Sequence, residues 1–295
     1  MSRKEYDNQL NASRSKFPFQ ETTKAYKSLE VKDANLNAEE KLNKPKNNIL
    51  IWNRIQGQHC RLPKTRWHSL VAAGRGCFCS KFSNDGLLMA CGCPVSSTKN
   101  YSIFIYEVPS FELIFRMGKH NGIVYEIDWS FDNNYLLSVS NDCTAQIWQI
   151  NSKSNNNPKN IALLPHPCYL YSGKFHPTNL NEVITGGFDG IVRIWLFDLK
   201  QKEEPQLIQE FNSHKGSVLC FCWENKVNEI ELFSSGNDGV INIYKMHKSN
   251  WKINSQIVLK DLKNVPINSL SIHPNGNKIV AFCRDGIHRL IDYKS

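Results

Sequence analysis

The chain has 295 residues, 41% of them hydrophobic and 11% aromatic, which is enough apolar material for a buried core and excludes a wholly disordered chain. No apolar run approaches the ~18–20 residues that span a bilayer, and from the polar start no secretory leader is expected, so the ten cysteines are expected as reduced cytoplasmic thiols. The formal charge of +9 leaves nucleic acid or an anionic surface open as partners without establishing either.

Residues 1–48 come first and differ in texture. They hold ten Lys/Arg against seven Asp/Glu, many Asn and few large apolar side chains. The expectation is a disordered N-terminal arm, too weakly basic for a nucleic-acid tail. Residues 49–66 read as a lead-in segment. From 67 to 295 the chain turns to short β-type runs separated by turn residues.

Those runs repeat. Tyr106, Trp148, Trp195, Tyr244 and Ile291 close strand-like runs at spacings of 42, 47, 49 and 47. Six residues before each lies Asn100, Asp142, Asp189, Asp238 or Asp285. First strands carry an apolar-x-x-apolar-x-apolar pattern, as in Val124/Ile127/Trp129, Val218/Phe221/Trp223 and Ile267/Leu270/Ile272. Second strands are LLMACGC, YLLSVS, EVITGG, LFSSG and KIVAFC, and fourth strands are predicted at 67–72, 113–117, 161–164, 206–210 and 256–260. Four short strands per ~45 residues make one blade of a β-propeller. The predicted fold is all-β, with about five blades.

The repeats resemble WD repeats. A His before the first strand, an Asp before the third and an aromatic within the third recur as His120/Asp142/Trp148, His166/Asp189/Trp195 and His214/Asp238/Tyr244. The Asp carboxylate is expected to accept from the imidazole and from turn amides, and the His to reach a second-strand hydroxyl, Ser138 in the second blade. Ser138, His120 and Asp142 also have the residue types of a nucleophilic triad. Recurrence in every central blade argues for scaffolding, and no catalytic residue is assigned. Cys77-x-Cys79 and Cys91-x-Cys93 supply four thiols, but residues two apart on a strand point alike, a poor tetrahedral pincer for zinc. No metal, cofactor or small-molecule substrate is expected.

Partner binding is expected on the rim shared by the loops into first strands and the turns before third strands. Candidates are Asn121, Asn141, Pro167, Phe188, Lys215, Asn237 and Arg284. Phe188 stands out as an aromatic in a turn, the kind of side chain that anchors an interface.

The likeness narrows further. Gly57-Gln58-His59-Cys60-Arg61-Leu62-Pro63, Gly74-Arg75-Gly76-Cys77-Phe78-Cys79, Leu164-Pro165-His166-Pro167, Lys174-Phe175-His176-Pro177 and Ile272-His273-Pro274-Asn275-Gly276 resemble, in order, the propeller region of the jouberin family. That resemblance covers roughly 49–295. It implies a non-catalytic cytoplasmic scaffold at the ciliary basal body and transition zone, serving cilium assembly and vesicle trafficking through ciliary-base or trafficking proteins. It also implies seven blades within a much longer chain, so the five counted here are expected to be part of a larger propeller. Two other readings stand beside it. One is an RNA-associated WD-repeat protein using the basic balance. The other is a propeller hydrolase, whose mark, acids or histidines clustered at the central channel, is not seen in the sequence.

Overall fold

The computed structural model describes residues 76–95, 101–150, 157–199, 204–225, 230–247, 250–258, 265–273 and 276–293. The chain divides into two units, Met1–Asn48 and Ile49–Ser295, and every described residue belongs to the second. The arm at 1–48, the lead-in at 49–66 and the fourth strand expected at 67–72 lie outside the described residues.

Every described element is a strand, and the strands form five antiparallel sheets in chain order. Blade one takes β1 (Cys79–Phe82), β2 (Leu88–Pro94), β3 (Tyr101–Glu107) and β4 (Leu113–His120). Blade two takes β5 (Val124–Trp129), β6 (Tyr135–Ser140), β7 (Thr144–Gln149) and β8 (Lys159–Pro165). Blade three takes β9 (Leu170–Phe175), β10 (Glu182–Gly187), β11 (Ile191–Leu196) and β12 (Gln206–Asn212). Blade four takes β13 (Val218–Asn225), β14 (Ile230–Gly236), β15 (Val240–His247) and β16 (Asn250–Val258). Blade five has three described strands, β17 (Ile267–Ile272), β18 (Lys278–Cys283) and β19 (His288–Asp292). These are the WD-type propeller blades expected from the repeat.

The apolar-x-x-apolar spacing of first strands has a structural cause. Register shifts fall between Val124 and Glu126, Val218 and Cys220, and Ile267 and Ser269. A β-bulge inserts one residue and so changes the period from two to three at that point. A second shift recurs where the third strand meets the fourth, beside Tyr106, Trp148, Trp195 and Tyr244.

One strand differs from the prediction. β16 starts at Asn250 rather than near residue 256, because β15 runs on to His247 and pairs with Asn250 in a continuous hairpin. The early start brings the Trp251 indole, 3% exposed, onto Glu182 of blade three at 2.7 Å.

The core lies between blades. Leu136 packs with Ile103, Ile105 and Trp148 between blades one and two, while its neighbour Leu137 packs with Leu170, Phe175 and Trp195 between blades two and three. Adjacent strand residues point to opposite faces, so each central blade feeds two cores. Ile184, Val218, Phe221 and Tyr244 fill the next gap, and Phe233, Ile243, Ile267 and Ile279 the last.

Candidate functional site

In blade two the network assembles around His120. Its Nδ1 lies 2.9 Å from the Asp142 carboxylate and its Nε2 2.8 Å from Ser138 Oγ, which also receives the Trp148 indole N–H at 3.1 Å. Asp142 takes the Asn121 amide at 2.9 Å and the Thr144 hydroxyl at 2.7 Å. Burial raises the Asp142 carboxyl, but the bonds from His120, Thr144 and Asn121 outweigh it and hold it below the usual carboxylate range. The carboxylate only accepts, so Nδ1 carries the proton and Nε2 accepts from Ser138.

That is the hydrogen-bond order of a nucleophilic triad, but it is sealed. His120 and Ser138 are both 0% exposed, and the Ser138 oxygen is already engaged by Trp148. A substrate carbonyl has no approach to it.

Blade four repeats the set with Tyr244 in place of the tryptophan. His214 Nδ1 meets Asp238 at 3.1 Å, Nε2 meets Ser234 at 2.7 Å, and the Tyr244 hydroxyl reaches Ser234 at 3.0 Å. Asp238 also takes the Lys215 amide at 2.9 Å, and these bonds hold it low against its own burial.

Blade three departs from the expected pairing. His166 Nδ1 donates to the Leu164 carbonyl at 2.9 Å and Nε2 meets Thr185 Oγ1 at 2.8 Å, but the bonds of Asp189 go to the Ile191 amide and to Arg193 Nη2 at 2.7 Å. The reason is the side chain four residues after the aspartate. In blades two and four it is Gln146 or Asn242, whose amide approaches the histidine ring at 3.3 or 2.9 Å. In blade three it is Arg193, and in blade five it is Arg289, which bonds Asp285 at 2.8 Å. Burial pushes His166 down to about 4, and the Arg193 charge adds to the effect.

The candidate rim residues gather beside these networks. The amides of Asn141, Phe188, Asn237 and Arg284 donate to Ile123, Tyr169, Ser217 and Pro266 carbonyls, which ties each turn to the loop before a first strand. Asn121, Pro167, Phe188, Lys215 and Arg284 are exposed. Asn141 and Asn237 are partly buried against Gly122 and Gly216, and the Oδ1 atoms of both are buried without a partner among the described residues. The Phe188 ring is 44% exposed and meets Tyr169 edge-on at 6.4 Å.

A charge cluster on the inner strands escaped the sequence reading, which set out no acids at the channel. Lys174 on β9 bonds Glu126 on β5 and lies 3.7 Å from Asp128, which also bonds Lys81 on β1. The signal was available. Lys81, Asp128 and Lys174 each precede the last aromatic of a first strand, so charge alternates at one repeat position. Lys174, Arg193, Lys245 and Arg289 all pair with carboxylates, which reduces the free basic surface an RNA would need.

The cysteines divide between two faces. Cys79 packs toward Val124, its thiol 3.3 Å from that carbonyl, whereas Cys91 and Cys93 pack with Phe104 and Tyr106. Burial pushes the Cys91 and Cys93 thiols up to about 12, and the Cys77 thiol beside them adds to the effect.

Comparison with known proteins agrees with this geometry. The family model for the WD domain, G-beta repeat, matches residues 111–149 and 205–245. Those stretches hold His120 with Asp142 and His214 with Asp238. Mouse jouberin is 34% identical over 254 residues, which is 82% of this chain and 23% of the relative, and rat jouberin is 33% identical over the same share. The human F-box-like/WD repeat-containing protein TBL1X is 29% identical over 157 residues, half of this chain and 25% of that protein. The chain thus spans about a quarter of the length of the jouberins it matches. It carries WD repeats, and its sequence is similar to jouberin over most of its length.

Proposed function

We propose that this chain is a non-catalytic scaffold that binds other proteins through the rim beside its His–Asp networks, at the ciliary basal body and transition zone, in support of cilium assembly and vesicle trafficking. The repeated rim carries the binding part of the reading. Buried hydrogen bonds fix its backbone from below, while the side chains just before each turn Asp or after each His are free to vary from blade to blade. Asn121, Asn141, Pro167, Phe188, Lys215, Asn237 and Arg284 fill those places. The similarity to jouberin supports the ciliary part.

Phe188 is the anchor of choice. Phe188→Ala is expected to weaken capture of a rim partner by about 1–2 kcal/mol, since exposed aromatics dominate interface energetics. The melting temperature should not move. A drop of several degrees would place Phe188 in the core instead. Placement is tested by imaging the tagged full chain in ciliated cells against a basal-body marker, and a diffuse signal would sink the ciliary reading.

A further inference from the structure

We infer that the cavity at the end of the inner strands opposite the rim binds a carboxylate carried on an apolar body. The cavity measures about 460 Å³ and is lined among others by Lys81, Phe131, Lys174, His176, Phe221 and Trp223. Small-ligand sites fall at roughly 300–1,000 Å³, with apolar walls and a few converging polar groups. The walls here are Phe221, 1% exposed, and Phe131, 47% exposed and available as an apolar landing.

Two hydrogen-bond donors on this lining have no acceptor among the described residues. His176 is 4% exposed, and its Nδ1 accepts the Thr178 and Asn179 amides at 3.2 and 3.0 Å. The ring proton therefore sits on Nε2, which is buried without a partner among the described residues. The Trp223 indole Nε1 is likewise buried and unpartnered. Its ring packs against His176 at 5.2 Å. Neighbouring indoles are satisfied: Trp251 donates to Glu182 at 2.7 Å and Trp129 to the Lys81 carbonyl at 3.2 Å. A buried donor left unpaired is unfavourable, so an acceptor that fills this space is favoured by both groups.

Charge selects the acceptor. Lys81 and Lys174 both line the cavity, and of the carboxylates paired to them only Asp128 lines it too. Glu126 and Asp128 pair with these two ammonium groups, but the Lys81 side chain stays 38% exposed and its ammonium has more donors than its one bond to Asp128 uses, which favours a carboxylate over a neutral carbonyl. A carboxylate also offers two acceptor oxygens, one for each orphan donor. The source is either a free aromatic acid or an acidic side chain beside an aromatic one in a partner peptide.

The test uses the full chain with ¹⁵N-labelled tryptophan. Phenylacetate should shift the Trp223 indole resonance saturably, and phenylacetamide should bind at least about tenfold more weakly, the loss expected for one charge-assisted hydrogen bond. Trp223→Phe identifies the resonance and should weaken phenylacetate binding by a similar factor, read on the remaining indoles. Acetyl-Glu-Phe-amide and acetyl-Gln-Phe-amide distinguish the sources: tighter binding of the Glu peptide than of phenylacetate points to a partner protein, the reverse to a small acid. A Trp223 indole that ignores both carboxylates, or responds equally to the amides, overturns the inference. The rim lies at the other end of the strands, so Phe188→Ala should leave this response intact, and failure of one site does not touch the other.

Discussion

Gln146 and Arg193 hold the same place in their blades, four residues after the turn aspartate, and that side chain decides what the aspartate holds. With an amide there, the carboxylate takes the histidine. With a guanidinium there, the histidine turns to a backbone carbonyl and stays neutral. Arg193→Gln is therefore expected to release Asp189 to His166 and raise the His166 pKa from about 4 toward or past its ordinary 6.5, measured by NMR titration of the ring. A value still near 4 would show that burial alone sets it, against the raising bond to Leu164. Lost bonds to Asp189 and Glu210 should destabilise the variant by about 1–3 kcal/mol at neutral pH. The sign of the pH dependence follows from the same shift. A histidine with a depressed folded pKa leaves the folded state short of a proton that the unfolded chain binds below 6.5, so stability falls as pH drops from there toward about 4. His176, also pushed down to about 4 by burial, adds to that slope, and Arg193→Gln should remove the His166 share. Asp142 and Asp238 act later: held below the carboxylate range, they stabilise above it and lose that contribution as pH falls through their folded values. The position after each aspartate gives a simpler case. Gly190, Gly239 and Gly286 have φ of 75°, 74° and 82°, and blade two places Cys143 there at 68°. A left-handed side chain costs roughly 1–2 kcal/mol, partly offset by the entropy a glycine loses on folding. Cys143→Gly should leave stability unchanged or raise it by up to about 1 kcal/mol in a urea melt. A clear loss would mean that the cysteine side chain is stabilising.

At the scale of strands, Lys174 staples β9 to β5. Its ammonium bonds Glu126 and sits 3.7 Å from Asp128, while Glu126 also accepts from Ser172 Oγ at 2.5 Å and the Gly173 amide at 3.0 Å. Burial alone would lower the lysine, but the two carboxylates raise it well above its ordinary value. Removing one member of a buried pair leaves an uncompensated charge, so Lys174→Met should cost about 3–5 kcal/mol by chemical denaturation, and adding Glu126→Gln should recover part of it. A loss under about 1 kcal/mol would mean that water already screens the pair. The strands themselves were largely legible, because period-two apolar runs survive in β6, β7, β10 and β18 at or near their observed limits. Bulges were legible too, as the three-residue gap in Val124/Ile127 and its counterparts. The Lys174 cluster was not, since its members lie about 46–48 residues apart and meet only once three first strands stand side by side. His166 was misread for a related reason. A motif records residue types at fixed spacing, whereas the outcome turns on competition from Arg193, outside the motif.

Across the described residues, each of blades two, three and four gives one face to the blade before it and one to the blade after. On blade five, Ile279, Ala281 and Ile291 pack against blade four. By the pairing of Val280 with Leu290 and Phe282 with His288, these four share the other face. There Leu290 is 64% and Phe282 37% exposed, with the His288 ring edge-on to Phe282 at 4.8 Å. Every other apolar face of the central blades closes on a neighbour, so this one is where the repeat logic leaves surface to cover. A contiguous exposed apolar face promotes association. Leu290 contributes little to the fold at that exposure, and surface substitutions usually stay within about ±0.5 kcal/mol. Leu290→Lys should therefore keep the melting temperature while lowering self-association, followed by sedimentation velocity over a concentration series. Unchanged association would show that the face does not drive it. A melting temperature lowered by several degrees would show that Leu290 is covered in the folded chain, and that the fifth blade has a packing partner there as the three central blades do.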